Sequence, residues 1–151
     1  MPPAFQRAVG AFMSEPVRPS NRVLVIVAGV AIAINVVTAL PNMSSDLSAI
    51  ELIWGIFLFG VLLALPHLIL LVNGIWLKLR WTRLLSLAGM AAALFLWLLA
   101  WYATYIDNPA PDAQDALVYV IVPVYAGAAA IALAIVLRLA DWLMTRTSRA
   151  N

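Results

Sequence analysis

Four stretches without a single charge constrain this chain more than any other feature: Val23–Ser45, Leu52–Leu77, Leu84–Ile106 and Ala116–Leu137. The shortest holds 22 residues, and together they take 94 of 151. A helix of about 20 apolar residues crosses a hydrocarbon core of about 30 Å. Backbone polar groups inside lipid must be satisfied within the segment, which favours helices for such stretches. The composition agrees: 65% of residues are apolar and 11% charged, against about half and about a quarter in soluble domains. These numbers exclude a soluble enzyme, a nucleic-acid module and a disordered tail. They predict an all-α polytopic membrane protein, an antiparallel bundle of four transmembrane helices forming a single membrane domain over residues 1–151.

The spans are expected at about 22–40, 49–73, 83–106 and 115–139, with a tail at 140–151. The connections between them are short, so consecutive helices should be antiparallel. Ahead of the first span, Ala4, Phe5, Ala8, Val9, Phe12 and Met13 fall on one side of a helical wheel. Pro2 and Pro3 suit a helix start, and Pro16 and Pro19 an end. Residues 4–15 therefore read as an interfacial amphipathic helix. The first span also fits a signal peptide cleaved after Val37-Thr38-Ala39. The 22 residues before its apolar core favour a retained span. A mature chain starting at Leu40 would overturn the four-span reading.

Orientation follows from the charges between the windows. Arg7, Arg18 and Arg22, then Lys78, Arg80 and Arg83, then Arg138, Arg146 and Arg149 all fall on one side of a four-span chain. Asp46, Glu51, Asp107, Asp112 and Asp115 fall on the other, and only Glu15 and Asp141 share the basic side. Basic residues favour the cytoplasm, so both termini are expected inside. The positive charge then meets anionic headgroups, and no nucleic-acid partner is needed to explain it. Eight of the nine basic residues are Arg and the spans are rich in Ala and Leu. That usage suits a GC-rich bacterial coding sequence, hence a bacterial inner membrane. Trp54, Trp101 and Tyr102 near the outer ends, and Trp76, Trp81 and Trp142 near the inner ends, are expected interfacial anchors. Trp97 lies deeper and should pack between helices.

Small residues let helices approach closely in lipid. Each span carries a stripe of them: Ala28 and Ala31 with Asn35 and Thr38, Gly60 and Ala64 with His67 and Gly74, Gly89 and Ala93 with Ser86 and Ala100, Gly127 and Ala130 with Pro123 and Ala134. The stripes should face one another and leave Leu, Ile, Val and Phe toward lipid.

Two polar residues inside the spans are the candidate site. His67 is the sole histidine and follows Pro66, which removes an N–H and frees the Leu62 carbonyl. It reads either as a titratable gate or solute ligand, or as a neutral ring hydrogen-bonded across the bundle to the freed carbonyl. Asn35 lies about 18 Å into the first span by helical rise. It should hydrogen-bond across the bundle or between copies, contributing about 0.6 kcal/mol. Arg138 and Asp141, three apart, read as a helix-end pair. The outer acids lack the spacing of a Ca²⁺ loop and read as solvated charge. Catalytic and metal-binding motifs are missing, and the chain contains no Cys, so no cofactor is expected.

The turn Arg80-Trp81-Thr82-Arg83-Leu84-Leu85 resembles the turn between spans 2 and 3 of uncharacterised small four-span bacterial inner-membrane proteins. Leu79 and Thr82 depart from the more polar and Ala-bearing versions. The resemblance covers six residues and the layout, and implies no activity. The expected function is non-catalytic: an oligomer-forming protein or accessory subunit of a membrane assembly, whose partners are the bilayer and itself or another membrane protein. The alternatives are a small channel or solute carrier using Asn35 and His67, and a membrane immunity or defence protein.

Overall fold

A computed structural model describes residues 19–39, 49–105 and 113–150. Four helices make up the fold: α1 (Asn21–Ala39), α2 (Ala49–Trp76), α3 (Arg80–Tyr105) and α4 (Ala113–Ala150). All four are long and apolar enough to cross a membrane, and no strand occurs among the described residues. The expected interfacial helix at 4–15 lies outside the described residues, as do Asp46, Asp107 and Asp112. So do the side chains of Glu51, Trp54 and Asp115.

Local chemistry sets the helix ends. Ser20 caps α1: its hydroxyl and its carbonyl both accept from the Val23 N–H, at 3.3 and 3.0 Å, using a donor that the first turn leaves orphaned. Pro66 and Pro123 sit inside uninterrupted helices and are buried. The largest departure from the expected boundaries is at the end of α4. The helix runs through the segment read as a tail, to Ala150. At 38 residues it is about 57 Å long, far more than a bilayer core requires. Charge ended the apolar span but does not end a helix: Arg138, Asp141 and Arg146 are all compatible with helical backbone, and Thr145 bonds back to the Asp141 carbonyl at 2.7 Å.

The contacts fix the topology. Asn35 meets Leu63 and His67, and Leu24 meets Gly74, so α1 and α2 are antiparallel. Ser86 bonds the Leu70 carbonyl at 2.7 Å, which makes α2 and α3 antiparallel. Gly89 packs on Leu133 and Thr82 on Asp141, which does the same for α3 and α4. Two further interfaces are parallel: α1 with α3, through Asn21–Arg83 and Thr38–Trp97, and α2 with α4, through Leu65–Gly127 and Trp76–Arg138. The section is therefore a rhombus. The pair α2 and α3 forms the short diagonal, and α1 and α4 stand at the far corners without a packed interface between them.

Two apolar clusters fill the interior. Leu24, Ala28, Leu70, Met90 and Ala130 form one, and Ala39, Leu63 and Trp97 the other. Small residues of the stripes do turn inward: Ala28, Ala31, Ala64, Gly127 and Ala130 are buried. Gly60, Gly89 and Ala93 are half-buried. Small residues alone do not make the core, however. Leu24, Leu63, Leu70, Leu77, Met90 and Leu137 are as buried as any alanine. They fill the volume left where four helices meet, which alanine methyls cannot reach. The outer belt, including Ile26, Phe57, Leu68, Phe95 and Ile135, is exposed.

Candidate functional site

The two polar residues singled out from the sequence meet. Asn35 and His67 are 2% and 0% exposed, and Asn35 Nδ2 lies 3.0 Å from His67 Nε2. The same nitrogen donates, at 3.4 Å, to the Leu63 carbonyl. That carbonyl identifies the atom: an amide oxygen there would face another oxygen. Nδ2 is thus the donor to His67, Nε2 is an acceptor, and the imidazole proton sits on Nδ1. The expected partner was the Leu62 carbonyl freed by Pro66. Instead Asn35 reaches Leu63, one residue on, while His67 faces the amide. Burial of an amide is costly unless it is bonded, and this pairing meets part of that demand. Asn35 Oδ1 and His67 Nδ1 find no partner.

A second polar contact lies one turn along α1. Thr38 donates to its own helix at Ile34, 2.8 Å away, and accepts from Trp97 Nε1 at 2.7 Å. Trp97 therefore packs between helices and also ties α3 to α1. Along α1 and α2 the Asn35–His67 pair is bracketed by the two apolar clusters. Leu24, Ala28 and Leu70 lie toward one end, and Ala39, Leu63 and Trp97 toward the other. A polar pair closed off in this way can align helices.

The most densely bonded polar group was not anticipated. At the basic end, α2 and α3 are joined by Leu77–Leu79, and two buried charges clamp this turn. Asp141 of α4, 7% exposed, accepts from the Lys78 N–H at 3.0 and 3.1 Å, the Leu79 N–H at 2.8 Å and the Thr82 hydroxyl at 3.1 Å. It caps the N-terminus of α3 from another helix, where a negative charge complements the helix dipole. Arg83, 8% exposed, does the converse. Its guanidinium donates to the Leu77 and Ile75 carbonyls at 2.8 and 3.1 Å, completing the end of α2. It also reaches Pro19 O and Asn21 Oδ1, each at 3.0 Å, at the start of α1. The expected Arg138–Asp141 pair does not form. Asp141 is turned inward onto the turn, and Arg138 lies 5.4 Å over the Trp76 ring. Position three apart on a helix permitted the pair, but orphaned backbone donors are a stronger demand for a buried carboxylate than an exposed guanidinium. The expected second and third spans left residues 74–82 between them, and the tight three-residue turn that needs the clamp is visible only in the structure.

The remaining anchors are distributed as follows. Trp76, Tyr102 and Trp142 are exposed on the outer belt, and Trp81 and Trp101 are half-buried. Arg146 stacks on Trp142 at 4.1 Å. Among the grooves that the described residues line are two at helix–helix seams. One, of about 220 Å³ between α1 and α3, is lined only by apolar residues such as Ile26, Val30 and Met90. The other, of about 550 Å³ between α2 and α4, includes Asn73 and Arg138. No cluster of metal-ligating side chains occurs among the described residues. No protein-family model, curated protein or solved structure matches the chain.

Proposed function

We propose that this chain is a non-catalytic, multi-pass protein of the bacterial inner membrane, with both termini in the cytoplasm, that acts as an oligomer or as an accessory subunit of a membrane assembly. The observation that carries the reading is where the polar groups go. Asn35, His67, Thr38, Trp97, Ser86, Asp141 and Arg83 all bond across helices, so they hold the bundle together and offer no aligned donor–acceptor path through it. The outer belt of the described helices exposes large apolar side chains, and α1 and α4 at the far corners each have a side without a described neighbour. The basic end, with Arg22, Lys78, Arg80, Arg138 and Arg146, supports the cytoplasmic orientation of the termini. Membership in the group of small four-span proteins whose turn it resembles belongs to the same proposal. Native mass spectrometry of the protein released from lipid nanodiscs tests it. Multimers, or a stoichiometric membrane partner, are expected. A lone monomer at all concentrations overturns the reading.

A second reading, a small-solute carrier or channel, has one observation in its favour. Asn35 Oδ1 and His67 Nδ1 are a buried acceptor and donor without partners, as a small polar guest would need. Flux into proteoliposomes that is lost in both Asn35→Leu and His67→Ala would establish it. Absence of flux, or flux indifferent to both changes, removes it.

A further inference from the structure

The groove between α2 and α4 lies at the basic end and holds two unlike kinds of chemistry. Ala134, Ile135 and Leu139 give it an apolar floor, and Asn73, Arg138 and Trp142 bring polar atoms to the same space. Asn73 is 6% exposed and its side-chain Nδ2 donor has no partner. A buried amide N–H without an acceptor is costly, so a native groove that leaves one unmet points to a guest that meets it. Arg138 is exposed, and its guanidinium is held over the Trp76 ring at the last residue of α2. Stacking of this kind engages the face of the guanidinium and leaves its edge N–H groups available to an anion. Asp141, the acid closest in sequence on α4, spends its carboxylate on the turn, so it does not compete for Arg138. Trp76 and Trp142 mark the depth at which headgroups lie.

We propose that this groove binds one anionic phospholipid, its phosphate between Arg138 and Asn73 and an acyl chain along Ala134, Ile135 and Leu139. The volume, about 550 Å³, suits part of a lipid, with the remainder of the tails in the bilayer. Charge complementarity selects the occupant. A zwitterionic lipid presents a cation beside its phosphate, whereas the described charges of this end are basic apart from Asp141. The inference is independent of whether the chain forms oligomers.

The test is native mass spectrometry of the detergent-purified full chain titrated with dioleoylphosphatidylglycerol, with dioleoylphosphatidylcholine and with inorganic phosphate. One retained phosphatidylglycerol per chain is expected. Its affinity should fall about tenfold in Arg138→Gln and in Asn73→Leu, the loss of one charge-assisted or buried hydrogen bond. Ala134→Phe, which fills the groove and keeps both polar groups, should lose the lipid as well. Arg22→Gln, an exposed charge at the same end but on α1, should bind as the parent does. Helical circular dichroism of each variant reports folding, and any one folded groove variant suffices for the comparison. Equal retention by the groove variants, equal retention of the two lipids, or retention of inorganic phosphate in place of lipid each overturns the proposal.

Discussion

Replacing Asp141 by alanine should be among the most damaging single changes in the bundle. The carboxylate accepts from two backbone N–H groups of the α2–α3 turn and from the Thr82 hydroxyl. In the alanine variant Thr82 can still donate to the Leu79 carbonyl, at 2.9 Å, so it forfeits about 1 kcal/mol, the net worth of one hydrogen bond, and is not left unsatisfied. Lys78 is exposed, and water can take over part of its N–H. The Leu79 N–H, half-buried and bonded at 2.8 Å, loses most. A donor left unsatisfied costs about 1–3 kcal/mol, and bonds to charged acceptors lie at the upper end. The expected destabilisation is about 2–4 kcal/mol. The Asp141→Asn variant keeps one acceptor oxygen and should cost about half as much. Reversible unfolding in mixed micelles, with the denaturing detergent fraction titrated and helicity followed by circular dichroism, measures each difference. A double-mutant cycle then separates the two partners that Asp141 could have. Coupling of about 1 kcal/mol is expected with Thr82→Val, and coupling within about 0.5 kcal/mol of zero with Arg138→Ala. A cost below about 0.5 kcal/mol for Asp141→Ala, the range of ordinary surface changes, would refute the clamp. So would a stronger coupling to Arg138 than to Thr82.

Other expectations follow from the interior and from topology. Asn35→Leu and His67→Leu should each destabilise in the same assay, and the double variant should lose less than their sum, with a coupling of about 0.6 kcal/mol; strict additivity would mean the two side chains do not meet. Gly89→Leu should cost about 1–3 kcal/mol by overpacking, because a Cβ there already comes within 2.7 Å of Leu133 and 3.0 Å of Leu70. Gly60→Leu should be tolerated, because nothing lies within 4 Å of its Cβ position, and equal costs at the two glycines would contradict the packing. Trp97→Phe keeps an aromatic ring and loses the 2.7 Å bond to Thr38, at a cost of about 1 kcal/mol, read as a shift in the unfolding midpoint. The chain contains no Cys, so single-cysteine variants report orientation directly: Ser45→Cys should react with an impermeant maleimide in intact cells and Thr147→Cys only after permeabilisation.

The four helices could be read from the sequence because lipid imposes a one-dimensional rule. A span must be apolar for its whole length, and charge is excluded from it wherever it packs. The burial of Ala28, Ala31 and Asn35 on a single face of α1 was legible for a related reason, since helical periodicity places residues three and four apart together. What periodicity could not supply was partner choice. Asn35 and His67 could each have bonded within the bundle or between copies, and only the antiparallel packing of α1 on α2 brings Nδ2 to Nε2. Nor could it predict the rhombic section: short connections make consecutive helices antiparallel, but they leave undecided which diagonal closes. The structure closes α2 on α3, where Gly74 admits Ser86 at 3.2 Å from its Cβ position and Ser86 bonds the Leu70 carbonyl at 2.7 Å.

By itself, then, the sequence determined membrane class, the number of spans and which end is basic, since those properties depend on the residue types along a segment and not on its neighbours. The tertiary structure alone decided the roles of the charged residues at that end. Asp141 and Arg83 are separated by 58 positions and would pass for two more topology-setting or helix-end charges. In the fold they complete the facing ends of α3 and α2, because the N–H groups and carbonyls orphaned at a tight turn are short-range demands that only side chains brought there by packing can meet.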